Sequence, residues 1–298
     1  MGSTKPDVRF DYRSKDGLSI VTYRWNTNQP PRAAIQLTHG MGEHALRYGE
    51  FARALNAKGI VVYAQDQRGH GATATLTKTI GSLGHDGWQM LINDIHLLVQ
   101  YVRSENPNIP LILFGHSMGS FAVQQYLLDY SREIDAAILT GTVALDLLAA
   151  AFDPDQPFEL SSMNTPFQPA RTDFDWLSRD VSMVDAYIND PLCGFGLDKE
   201  SIKGMFAGGQ RMVNTEAVQQ IRKDLPMLIS VGELDPIHQQ MVGVQVLVDR
   251  FQAAGLKDVT FKSYSEARHE VLNETNRQDI VNDILDWIEK KLALSTKH

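Results

Sequence analysis

The chain has 298 residues, 28 Lys or Arg against 36 Asp or Glu for a formal net charge of −8, and 43% apolar content. That is ordinary globular composition, long enough for one large α/β domain. The acidic balance argues against a nucleic-acid partner, and the single cysteine, Cys193, excludes an internal disulfide framework and a Cys-based zinc site. No stretch approaches the roughly 20 apolar residues needed to cross a bilayer, so no stable membrane insertion is expected. The first ten residues are polar and lack an apolar signal core, and Pro6 stands where myristoylation wants Ser or Thr. A cytoplasmic location is the expectation.

In chain order, Val8 to Tyr12 and Leu18 to Trp25 carry strand-type residues on either side of Ser14-Lys15-Asp16-Gly17, which predicts a β-hairpin. Short apolar runs follow at Ala33–Thr38, Ile60–Ala64, Leu111–Phe114 and Ala136–Leu139, each of a length suited to a buried parallel strand. Between them Trp88, Leu91, Ile92, Ile95, Leu98, Val99 and Val102 share one face at helical spacing. The rhythm returns with a strand at Met227–Val231, a helix over His238–Phe251, a strand at Val259–Tyr264 and a closing helix through Ile280, Ile284, Ile288 and Leu292. Alternation of this kind predicts an α/β fold, an eight-stranded mostly parallel sheet with helices on both faces.

The alternation stops over residues 144–212. This stretch holds eleven acidic residues against five basic ones and is far longer than a normal connection. It is expected to form a helical cap inserted between two parts of a core, residues 1–143 and 213–298.

The segment Leu111-Ile-Leu-Phe-Gly115-His116-Ser117-Met118-Gly119 runs an apolar strand into Gly-x-Ser-x-Gly, with a helical pattern over Ser120–Tyr130. That context marks a strained strand-to-helix turn presenting a nucleophilic serine. A serine hydroxyl needs a base to take its proton and an acid to orient the base, and in this fold they follow in the order Ser, acid, His. Asp235, after the Met227–Val231 strand, and His269, after the Val259–Tyr264 strand, fill those roles, with Glu233 and His238 as rivals. Backbone N–H groups of Met118 and of Met41, flanked by Gly40 and Gly42, are the expected oxyanion donors.

Gly40-Met-Gly42-Glu-His-Ala45 also fits a relaxed dinucleotide-binding spacing, which makes an NAD-dependent dehydrogenase a rival reading. A hairpin ahead of the motif and the unexplained Ser117, Asp235 and His269 count against it. Asp66-Gln-Arg68-Gly69-His70-Gly71 reads as an internally paired structural loop. No two histidines show His-Glu-x-x-His spacing, so neither a metal nor a cofactor is expected.

The chain resembles the α/β-hydrolases of the monoacylglycerol lipase and lysophospholipase group, also called serine aminopeptidase S33-like hydrolases. The resemblance rests on His39-Gly-Met-Gly-Glu-His44 with Arg47-Tyr48, Gly69-His70-Gly71, Gly115-His-Ser-Met-Gly119, Gly232-x-x-Asp235 and Ala267-x-His269. In the insertion, Leu177-Ser-Arg179, Asp185-Ala-Tyr187 and Asp190-Pro-Leu192 are similar to the family's cap signature. The resemblance implies a serine esterase of monoacylglycerol lipase type, working through an acyl-enzyme on a small, neutral, moderately apolar ester. It carries the nucleophile, acid and base onto Ser117, Asp235 and His269, and the oxyanion donors onto Met41 and Met118. His39, Gly40, His44, His116, Leu148, Phe152 and His238 are candidates to line the substrate pocket. His238 departs from the cysteine that the family's animal members carry near the glycerol pocket, and Arg268 from an aromatic before the base. Lysophospholipid, thioester or amide cleavage are alternatives on the same residues, and a catalytically silent scaffold is the alternative outside catalysis.

Overall fold

A computed structural model describes residues 3–152 and 159–295; Met1, Gly2 and residues 153–158 of the expected cap lie outside it. The strands are β1 Val8–Arg13, β2 Ser19–Trp25, β3 Ala33–Thr38, β4 Ile60–Gln65, β5 Leu111–His116, β6 Ala136–Thr140, β7 Met227–Gly232 and β8 Val259–Tyr264. They form one sheet in the order β1-β2-β4-β3-β5-β6-β7-β8. β2 pairs antiparallel with β1 and β4, and every later pairing is parallel.

The helices are α1 Gly49–Ala57, α2 Gly71–Thr77, α3 Gly87–Glu105, α4 Met118–Tyr130, α5 Leu145–Ala150, α6 Val181–Asn189, α7 Lys199–Gly209, α8 Thr215–Val218, α9 Val242–Ala253 and α10 Arg277–Ser295. Period-two alternation divides each central strand between two cores. In β5, Leu111 and Leu113 join the core beneath α3, α4 and α9, while Ile112 and Phe114 join the one beneath α1 and α10. All six residues of β3, β4, β5 and β7 are buried, as strands covered on both faces must be.

The Asp66–Gly71 loop is internally paired, as expected. Arg68 is buried on Asp94 at 2.8 Å and reaches Asp16 at 3.0 Å, while Asp66 accepts the N–H groups of Ala45 and Ala72. One predicted helix is corrected. The helix expected from His238 begins only at Val242. Gln239, Gln240 and Met241 adopt φ of 50°, 56° and 73°, left-handed values that interrupt helical propagation.

Candidate active site

Three carboxyl-terminal strand ends meet at one cavity. Ser117 follows β5 directly with φ 51° and ψ −123°, a conformation costly for a residue with a Cβ. Close packing imposes it. A Cβ on Gly119 would stand 2.2 Å from the Thr38 carbonyl oxygen, and one on Gly115 would stand 2.6 Å from that of Gly119. A side chain at 119 would push the turn away from β3, and one at 115 would push β5 away from the start of α4. The Ser117 carbonyl then accepts from Ser120 N at 2.8 Å, opening α4.

The acid and base loops are pressed together in the same way. A Cβ on Gly232 would lie 2.2 Å from the Arg268 carbonyl oxygen, and Leu234 N donates to Ala267 O at 2.9 Å. Asp235 and His269, 1% and 2% exposed, meet there, His269 Nδ1 donating to Asp235 Oδ2 at 2.8 Å. The other carboxylate oxygen accepts Ile237 N at 3.1 Å, so Asp235 also caps the turn that follows it. Burial alone would push the His269 pKa down, but the Asp235 carboxylate outweighs it and the net direction is up. Burial opposes the Asp235 charge as well, and His269 reverses the sign, holding that carboxyl below its usual range. With Nδ1–H committed to Asp235, Nε2 of neutral His269 is left as the basic nitrogen.

Ser117 and His269 line a cavity of about 20 Å³, room for about one water, together with Gly40, Met41, Glu43, His116, Leu160, Trp176, Leu177, Tyr187 and Glu270. Larger clefts of about 440 and 590 Å³ lie between α3 and α7 and along the outside of the acid loop, and neither is lined by Ser117. His116 packs 4.8 Å from the His269 ring and accepts or donates to Thr140 Oγ1 at 3.0 Å. Burial lowers its pKa to about 4, so it sits beside the base as a neutral ring.

Around the cavity runs a buried charge network that the sequence reading did not single out. Glu43 accepts from Gly40 N at 2.6 Å, Tyr48 OH at 2.7 Å and Arg47 Nη1 at 2.7 Å. Arg47 also forks onto Glu270, at 2.6 and 2.8 Å, and lies over the Tyr187 ring. One guanidinium thereby ties the Gly40 loop, the residue after His269, and α6. Tyr187 OH and Gly194 N both donate to Gly42 O, and Glu270 N donates to Leu177 O. Glu43, Arg47 and Tyr187 stand within the family-like motifs; Glu270 carries no sequence signal beyond its charge.

Of the candidate pocket residues, Gly40 and His116 line the cavity and the others do not; Met41, the expected oxyanion donor, lines it too. His39 is fully buried, donating from Nδ1 to Gly40 O and accepting Gln67 N at Nε2. His44 Nε2 pairs with Asp190 at 2.8 Å. Leu148 is buried in the hydrophobic core, and Phe152 stacks 6.4 Å from Phe206. Short turns carrying Leu160, Trp176 and Leu177 supply the apolar roof instead. His238 is excluded as a rival base: Nε2 donates to Gly232 O at 2.7 Å, and Nδ1 accepts Met241 N at 2.9 Å. It braces the acid loop and ends the helix that the sequence extends back to it.

The dinucleotide reading fails on the same loop. Glu43 occupies the Gly40 N–H, and a Cβ on Gly42 would lie 2.4 Å from the Phe195 carbonyl oxygen, so an anionic carboxylate and the cap fill the place of a pyrophosphate. His44, Asp190 and Cys193 bring three ligand-type atoms within 4.8 Å of one another. Burial pushes the Cys193 thiol well above its ordinary range.

Sheet order and the strained strand-to-helix turn at Ser117 define an α/β-hydrolase. A structure of a thermostable carboxyl esterase from Bacillus coagulans in complex with glycerol aligns at TM-score 0.86 and 26% identity, over 96% of this chain and 98% of that one. Among curated proteins, a monoacylglycerol lipase of Mycolicibacterium smegmatis is 30% identical across 91% of this chain and 93% of its own. The monoglyceride lipase of Mus musculus is 27% identical across 93% and 89%. The family model described as serine aminopeptidase, S33, matches residues 29–276, and the chain belongs to that family.

Proposed function

We propose that this chain is a serine hydrolase cleaving carboxylic esters, of monoacylglycerol lipase type, with Ser117 as nucleophile, His269 as base and Asp235 as its orienting acid. The observation that carries the reading is the buried 2.8 Å contact of His269 with Asp235 beside a serine held at positive φ in the same cavity. In this reading His269 Nε2 takes the Ser117 proton as Oγ attacks the ester carbonyl carbon. The N–H groups of Met41 and Met118 stabilise the oxyanion. His269 then returns the proton to the alcohol oxygen as the carbon–oxygen bond breaks, leaving an acyl-enzyme. Water, deprotonated by the same histidine, releases the acid.

Residues 144–212 act as the cap over a core of 1–143 and 213–298. Leu160, Trp176, Leu177 and Tyr187 face the nucleophile, and about 20 Å³ beneath them does not hold an acyl chain, so these residues move when substrate enters. The names of the relatives make monoacylglycerols the first substrates to try. The cap's excess of acidic residues disfavours anionic lipid surfaces.

The test is a panel of p-nitrophenyl esters from C2 to C16 with a monoacylglycerol and a lysophospholipid, alongside fluorophosphonate labelling. Ester turnover with one labelled site, Ser117, is the expected result. No turnover of any ester, or labelling at another residue, overturns the assignment.

A further inference from the structure

His44, Asp190 and Cys193 bring a nitrogen, an oxygen and a sulfur ligand to one point between core and cap. Their ligand atoms all lie within 4.8 Å of one another, and His44 Nε2 stands 2.8 Å from Asp190 Oδ2. Chain order hides the group, because 146 residues separate the histidine from the aspartate. Asp190 and Cys193 sit at the two ends of one turn, with Cys193 N donating to Asp190 O at 3.0 Å and Leu192 N to Asp190 Oδ1 at 2.9 Å. Two ligands three residues apart on a tight turn is the spacing by which short zinc motifs present a ligand pair. Gly194 N donates to Gly42 O at 3.0 Å, which sets that turn against the loop carrying His44. Tetrahedral zinc, with bonds of about 2.0–2.3 Å, holds such atoms roughly 3.3–3.8 Å apart, so seating an ion takes shifts of about 1 Å. Charge favours it: the carboxylates of Asp190, Glu43 and Glu270 act on Cys193 against the Arg47 guanidinium, three negative groups to one positive. The Asp190 side chain is 30% exposed and Cys193 is partly buried, which leaves an entry path and a fourth position for water.

We infer that His44, Asp190 and Cys193 form an exchangeable site for a thiophilic divalent cation of the zinc class, whose binding fastens the cap turn to the loop of Met41 and Glu43 and shuts the Ser117 cavity. The proton balance is definite. The bound dication takes Cys193 as the thiolate, its S–H proton leaving to solvent as the sulfur–metal bond forms. Neutral His44 gives the lone pair of Nε2 and carries its proton on Nδ1. That Nδ1 is buried with no hydrogen-bond partner among the described residues, so the site lacks the outer bond that supports tightly held metals, and the ion exchanges. Only about 20 Å³ lies beneath the closed roof, so a fastened cap admits no substrate. The effect on turnover rests on the proposed ester-hydrolase reading; the ion site itself does not.

Cys193 is the chain's only cysteine, so a cobalt–thiolate signature has one possible source. The test adds cobalt chloride, then zinc chloride, to the EDTA-treated full chain and to Cys193→Ser and Asp190→Asn, both close in shape to the native side chains. The expected result is a thiolate-to-cobalt charge-transfer band that saturates at one metal per chain, disappears when zinc is added, and is missing from Cys193→Ser. Zinc affinity by calorimetry falls at least about tenfold in each variant. Turnover of p-nitrophenyl butyrate drops at least about tenfold in the zinc-loaded wild type and returns with EDTA, while zinc at the same concentration changes the turnover of Cys193→Ser less than about twofold. Absence of the band overturns the inference. So does zinc affinity indifferent to Cys193→Ser, which marks binding at surface histidines, and so does undiminished turnover with zinc bound. A metal-free wild type that cleaves no ester, yet shows the band and the Cys193-dependent affinity, strikes the hydrolase reading instead and leaves the metal site standing.

Discussion

The floor and the roof of the Ser117 cavity are built in different ways. The floor comes from the loops that follow β3, β5 and β8, the last packed on the end of β7, and is held by backbone so tight that Gly115, Gly119 and Gly232 have no room for a Cβ. The roof comes from short cap turns and α6, held by polar side chains: Tyr187 on Gly42 O, Arg179 on Glu274 at 2.9 Å, His44 on Asp190. Chemistry that tolerates little displacement sits on the rigid part. In the proposed function, admission of substrate falls to the part tied down by contacts that break singly.

Breaking the floor gives the largest effects. Ser117→Ala and His269→Ala each lower ester kcat by at least about 10³-fold, equivalent to about 4 kcal/mol, with circular dichroism unchanged; the two act as a unit, so the double variant is little worse than either single one. Asp235→Asn costs less, roughly 10² to 10³-fold, and adds a signature in pH. Asp235 holds the His269 pKa above the ordinary 6.5, and activity requires neutral His269, so wild-type kcat/KM rises with pH through a midpoint above 6.5. Without that carboxylate, burial governs and the acid limb moves to lower pH. A limb that stays in place identifies a different titrating base.

The seam between floor and roof comes next. Arg47→Ala leaves Glu43 and Glu270 buried without their shared cation, and chemical denaturation is expected to show a loss of about 3 kcal/mol, partly recovered by adding Glu270→Gln. His238→Ala removes two buried hydrogen bonds of the acid loop, costing about 2 kcal/mol of stability, while the folded protein keeps most of its esterase activity. Activity loss on the scale of Ser117→Ala there contradicts the bracing role. The smallest effect belongs to the outer cap: Arg171 and Asp185 pair at 2.6 Å but are 43% and 47% exposed, and Arg171→Ala shifts stability by under about 1 kcal/mol.

Local sequence determined the periodic elements and the turns that directly follow them. Eight strand patterns appear as eight strands, because buried parallel strands need continuous apolar runs whatever surrounds them. The turn at Ser117 was legible because the glycines that permit it sit within two residues of the serine, and Asp235 and His269 because their loops directly follow apolar strands. Tertiary structure alone decided the rest. His238 reads as the first turn of an amphipathic helix, and only its bonds to Gly232 and Met241 end that helix early. Leu148 and Phe152 have the composition of a pocket lining, yet Leu148 is buried in the core and Phe152 packs on Phe206, while Trp176 and Leu177 line the Ser117 cavity. Glu43, Arg47 and Glu270 meet across 223 residues of chain, from Arg47 to Glu270, a separation at which nothing in the local pattern marks a partner. Periodicity records which face of an element is buried; it carries no record of what that face is buried against, and in this protein that second fact sets the roof of the active site.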